Sequence, residues 1–228
     1  MADEKRLVWD LPLRLFHGLL VLSMIASYTT AKLGFDWMPW HFYLGYWTIG
    51  LLVFRILWGF FGPRHARFSS FLHNPSAVFL YVKGLFRRDS PPSIGHNPAG
   101  GLMVLVMLLL VSVQAASGLF TTDDVVWAGP YNPAVSSSTA SLLSTVHDSN
   151  FDLILVAVGL HIAAILFYAF YKRQNLVVPM LHGRKPAQLV PEHEMIGSSQ
   201  LLKALVISVV AAGFVYWLLA HAPVVPIG

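Results

Sequence analysis

His147 and His161 lie fourteen residues apart within one apolar stretch. On an α-helix, fourteen steps of about 100° nearly close four turns, so both imidazoles share a face, roughly 21 Å apart along the axis at about 1.5 Å per residue. Histidine inside a membrane helix is costly unless it lines a cavity or binds something. This separation suits two stacked metal centres within a hydrocarbon layer roughly 30 Å thick. His17 and His41 supply two further imidazoles on other apolar segments. Ordered by depth, His41 pairs with His147 on the outer side and His17 with His161 on the inner side. Two bis-histidine sites are what b-type haem requires: each iron takes one imidazole from each of two facing helices, and burial and hydrogen bonding tune its potential. The four histidines are too far apart to form one tetrahedral zinc site.

Two arginines belong to the same constellation. Arg55 follows His41 by fourteen residues and so shares its face at the depth of the inner site. A guanidinium there needs an anion, and a haem propionate is a suitable one because guanidinium binds carboxylate in a fork. A structural arginine bonded to backbone carbonyls accounts for Arg55 equally well. Arg14, one turn from His17, is placed to serve a propionate likewise. Gly45, Gly50, Gly118 and Gly159 suit the close approach of a flat ring or a neighbouring helix, with helix packing the favoured reading. His65, His73, His96, His182, His193 and His221 fall in connections or tails and read as solvated surface histidines. Met103 and Met107 read as core filler.

The elements that position these residues are membrane spans. The chain has 228 residues, 56% hydrophobic and only 11% charged, against about 25% charged in a soluble domain. Five segments are long and apolar enough to cross a bilayer: 13–33, 42–61, 99–120, 147–171 and 201–220. The first reads as a retained span, since it is too long for a signal-peptide core. With no cysteine, disulfides, iron–sulfur clusters, thiolate-ligated haem and covalent c-type haem attachment are excluded. No Walker A, zincin or nucleophile-elbow motif is present, so no catalytic residue is assigned.

Basic residues set the topology. Lys5, Arg6 and Arg14 lie at the start, Arg64, Arg67, Lys83, Arg87 and Arg88 in the second connection, and Lys172, Arg173, Arg184, Lys185 and Lys203 around the fourth. The connection 121–146 has none. The N-terminus is therefore expected in the cytoplasm and the C-terminus in the periplasm, with Asp36, Asp123, Asp124 and Asp148 making the outer face acidic. Trp37 and Trp40 read as an interfacial belt. Asn74-Pro75 is a helix start, predicting an amphipathic surface helix through the stretch ending at Arg88. Residues 121–146, with Pro130, Pro133 and the run Ser136–Ser138, read as an exposed external loop.

The segment Val8-Trp9-Asp10-Leu11-Pro12-Leu13-Arg14-Leu15-Phe16-His17 resembles the opening of bacterial cytochrome b561-type proteins and of the b-type cytochrome subunits of nickel–iron hydrogenases. Gly95-His96-Asn97-Pro98-Ala99-Gly100 is similar to that family's segment before its third helix. Leu160-His161, Asn175-Leu176 and Met180-Leu181-His182-Gly183-Arg184-Lys185 are similar to its C-terminal region. The resemblance covers about residues 8–186. It implies a four-helix bundle holding two b haems, with ligands from helices 1, 2 and 4 at His17, His41, His147 and His161. It also implies electron exchange between a quinone pool and a partner on the outer face. Gly18, where the family often has tryptophan, and His182, where a small hydroxyl residue is common, depart from the pattern.

The expectation is an all-α integral membrane protein: a four-helix transmembrane haem-binding bundle plus a fifth C-terminal transmembrane helix. Residues 1–186 form the di-haem cytochrome b domain and residues 187–228 a linker and the fifth helix. The function expected is that of a transmembrane electron carrier in a bacterial inner membrane. Its implied partners are membrane lipid, quinone or quinol as substrate, and a periplasmic cytochrome c or redox enzyme subunit. A homodimer is compatible with this pattern, and nucleic acid is not a partner. Rival readings are a superoxide oxidase reducing ubiquinone, which a positive outer funnel using Lys32 would favour, a membrane anchor of a hydrogenase complex, and a transporter using the histidines as a proton relay.

Overall fold

The computed structural model describes residues 4–87 and 92–223. In chain order the elements are β1 (Lys5–Leu7), α1 (Leu11–Leu33), α2 (Met38–Phe61), α3 (Phe68–Phe71), α4 (Pro75–Lys83), α5 (Pro98–Gly118), α6 (Ser137–Phe170), α7 (Val177–His182), β2 (Arg184–Pro186) and α8 (Leu201–Ala220). Helices α1, α2, α5, α6 and α8 are each long and apolar enough to cross a membrane. Large apolar side chains such as Leu22, Leu160 and Leu202 stand exposed along them, the face a lipid-embedded helix presents. The hydroxyls of Ser23, Thr30, Thr48 and Ser117 donate to carbonyls one turn back on their own helices. Polar side chains in hydrocarbon are satisfied in this way.

Local sequence sets the helix ends. The Asp10 carboxylate accepts the Leu13 backbone N–H (2.9 Å) and caps α1. Asn74 caps α4 through the Ala77 N–H (2.8 Å), with Pro75 as the first helical residue. Asn97 caps α5 through the Gly100 N–H (2.7 Å) and is likewise followed by proline. Gly183 ends α7 at φ 80°, where a Cβ would lie 2.6 Å from the Trp9 carbonyl oxygen. Only glycine fits that left-handed position so close to backbone.

The chain divides into two compact units. The first comprises Met1–His17, Arg55–Met107 and Ala157–Val206. There β1 pairs antiparallel with β2, Arg6 opposite Lys185, and Val8, Trp9, Trp58, Ala66, Phe71 and Val190 form a buried core. The second comprises Gly18–Phe54, Leu108–Val156 and Ile207–Gly228. Its core includes Leu51, Leu52, Val111, Ala140 and Ile154. Asn150 ties α6 to α5 by donating to the Leu110 carbonyl (2.9 Å) and the Gln114 side-chain oxygen (2.8 Å).

The five expected spans are present, the first four with shifted ends and the fifth as read, at Leu201–Ala220. The largest shift is in α6, which starts at Ser137, ten residues before His147. His147 therefore does not open its helix, and Ser136–Ser138 is a helix start, with Ser136 Oγ accepting the Thr139 N–H (3.2 Å). The first turns of α6 are rich in Ser and Thr, so hydropathy alone stops short of them. The surface helix begins at its predicted cap but ends at Lys83, and Arg88 lies outside the described residues.

Candidate functional site

In the second unit, His41 on α2 and His147 on α6 face each other with ring centres 6.2 Å apart and ring planes at 82°. Each has its Nδ1 engaged. His41 Nδ1 donates to the Ser27 carbonyl (2.9 Å). His147 Nδ1 donates to the Gln114 carbonyl (2.9 Å), with the Ser117 hydroxyl at 3.3 Å. Such bonds fix the tautomer, leaving the Nε2 lone pair for a metal and holding the ring in orientation. In the first unit, His17 on α1 and His161 on α6 face each other with ring centres 6.4 Å apart and planes at 55°.

These separations test the fit of a haem iron. With metal–nitrogen bonds near 2 Å on opposite faces, imidazole centres stand about 6.3 Å apart. Both pairs match that spacing. A Cβ added at Gly45, one turn from His41, would meet no neighbouring helix or side chain within 4 Å, which leaves room beside that histidine. Gly118 does the opposite: a Cβ there would lie 3.0 Å from His147 Cε1 and 3.2 Å from Nδ1. Gly118→Ala is therefore expected to tilt the His147 imidazole and shift the potential of one haem, while Gly50→Ala, whose Cβ meets only Val215 at 3.5 Å, leaves it in place. A redox titration followed in the haem absorbance bands checks this.

The arginines lie in the first unit. Arg55 is buried, donates to the Ala66 carbonyl (3.2 Å), and lies over the Phe68 and Phe71 rings. Arg14 donates through one terminal nitrogen to the Leu181 carbonyl, and its buried Nε has no protein partner. The backbone contact of Arg55 is the structural role that the sequence left open. The orphaned Nε of Arg14, one turn from His17, is the better match to a propionate oxygen.

Several features were not read from the sequence. The Ser27, Gln114 and Ser117 contacts orient the His41–His147 pair, yet two are made by backbone carbonyls and have no sequence signature. Asp10 accepts from Trp58 Nε1 (2.9 Å) as well as from Leu13, a buried link between the starting segment and α2. Tyr168, on the His161 face of α6, bonds the Tyr81 hydroxyl (2.5 Å) and accepts from Asn97 (3.0 Å). Two loop histidines are not solvated as expected. His65 is 6% exposed and is bonded to the Glu194 carbonyl (2.8 Å). His96 sits between Trp9 and Phe71 with its Nδ1 shut off from solvent. Both loops fold back onto the Trp9 core, so loop position did not imply exposure.

Burial, with help from Arg55, His65 and Lys185, pushes the His96 imidazole down to about 3 from 6.5. The unfolded chain then takes this proton near pH 6.5 and the folded one near 3, so stability falls as pH drops through that window. His65, also lowered by burial, acts in the same direction, whereas Asp10, raised by burial, opposes it. Thermal unfolding of the detergent-solubilised protein should show a midpoint that falls from pH 7 to 4, and His96→Phe should flatten that slope.

Comparison with curated proteins finds no match, and comparison with solved structures finds none either. The family model described as prokaryotic cytochrome b561 matches residues 8–183, which takes in all four paired histidines. The chain belongs to the prokaryotic cytochrome b561 family and is a multi-pass membrane protein that carries electrons on b-type haem.

Proposed function

We propose that the chain holds two b haems, one between His41 and His147 and one between His17 and His161, and passes electrons between a membrane quinone pool and a periplasmic redox partner. The observation that carries this reading is the pair of imidazole–imidazole separations, each of a length that would let both rings of the pair hold one haem. Bound there, the haems would supply one-electron redox chemistry. The protein's part is to hold the imidazoles. The Ser27 and Gln114 carbonyls raise the basicity of the outer ligands by accepting their Nδ1 protons. Arg14, whose Nε lacks a protein partner, compensates propionate charge at the inner pair, while Arg55 anchors α2 to the Ala66 carbonyl.

The positive-inside pattern supports a cytoplasmic N-terminus and a periplasmic C-terminus in a bacterial inner membrane. Asp36, Asp123, Asp124 and Asp148 then favour a basic partner such as a cytochrome c, or a redox enzyme subunit with a basic face. Residues 1–186 serve as the haem-binding domain and residues 187–228 as an appended linker and span. The family match, ending at 183, supports that division. Oxidation of one quinol would release two protons and two electrons, one electron for each haem that the two histidine pairs would hold. Stopped-flow mixing of the oxidised protein with a short-chain quinol should reduce both haems. Reduction by dithionite but not by quinols would contradict the quinone assignment.

A further inference from the structure

Away from the paired histidines, the first unit contains a cavity of about 420 Å³ at the end of α2, lined by Arg64, Arg67, Ser69, Ser70, His96 and Glu194 among others. Its charge is unbalanced. Arg64 is occupied by Glu194, 2.6 Å away, and by the His193 carbonyl. Arg67 is held through Nε on the Gly62 carbonyl (2.7 Å), and no carboxylate among the described residues pairs with it. One cationic charge is thus left over beside the Ser69 hydroxyl, since Ser70 Oγ donates to the Arg67 carbonyl (2.7 Å).

We propose that this cavity binds the phosphate head group of an anionic phospholipid. Arg67 supplies the charge-assisted hydrogen bonds and Ser69 supplies a hydroxyl donor. The neighbouring surface favours a lipid as the source of the phosphate. Phe60, Phe61 and Leu72, which bracket the cavity-lining residues in sequence, are 63%, 58% and 40% exposed, an apolar surface on which acyl chains can lie. Basic pockets at the inner ends of membrane helices bind such head groups. The assignment does not depend on haem number or on the quinone.

The test is native mass spectrometry of the haem-loaded protein after exchange into mixed micelles containing phosphatidylglycerol and phosphatidylcholine. Phosphatidylglycerol should be retained preferentially. Arg67→Gln should lower its retention about five-fold, the loss of one arginine contact near a membrane surface, and Arg67→Lys should keep most of it. The haem spectrum of each variant verifies folding. Equal retention of the two lipids, or an Arg67→Gln protein that binds like the parent, would overturn the proposal. Displacement of the lipid by millimolar inorganic phosphate would assign the site to a soluble phosphate instead, and retention of quinone in place of phospholipid would also overturn it.

Discussion

His147→Ala is expected to lose one of two b haems and keep the other. The imidazole is irreplaceable at its position because its partner is already fixed. His41 is held by the Ser27 carbonyl at 2.9 Å, its ring centre 6.2 Å from that of His147. Alanine would leave His41 as the one imidazole able to hold a haem there. The His17–His161 pair contains no atom of the altered residue, so its haem should be retained. The reduced-minus-oxidised spectrum should fall to about half its amplitude per chain, since each haem contributes one similar b-type band. His161→Ala should give the complementary loss. If His147→Ala retains both haems, the proposed pairing is wrong.

Asp10→Ala should produce the largest loss of stability. One carboxylate oxygen serves two donors, the Leu13 N–H that starts α1 and the Trp58 indole N–H. Both Asp10 and Trp58 are almost wholly buried, so alanine strands the indole N–H away from water. Loss of a helix cap and one unsatisfied buried donor together cost about 2–4 kcal/mol. Recovering the desolvation of a carboxylate whose pKa burial has raised offsets part of this. The expected net loss is about 2 kcal/mol, with a lower unfolding temperature in detergent. Asp10→Asn keeps an oxygen for both donors and should lose much less. Equal stability of the alanine variant and the parent would remove Asp10 from its capping role.

Much of this was legible in the sequence for physical reasons. The spans showed because lipid demands long apolar runs, and the fifth ends where hydropathy placed it, at Leu201 and Ala220. The histidine pairs were legible because a 14-residue spacing repeats a helix face, and the fold brings His41 to His147 and His17 to His161. The start of α6 was missed because Ser137–Val146 is helical without being apolar. His96 was taken for a surface residue because nothing local shows that its segment returns to Trp9 and Phe71. The contacts that set ligand orientation are backbone carbonyls of Ser27 and Gln114. Every residue has a carbonyl, so sequence cannot single these out.

The most direct test of the central claim is a pyridine haemochrome assay on the detergent-purified protein, with protein measured independently. The account predicts two b haems per chain, falling to one in His147→Ala and in His161→Ala. A single haem in the parent protein, or one that survives both substitutions, would contradict it.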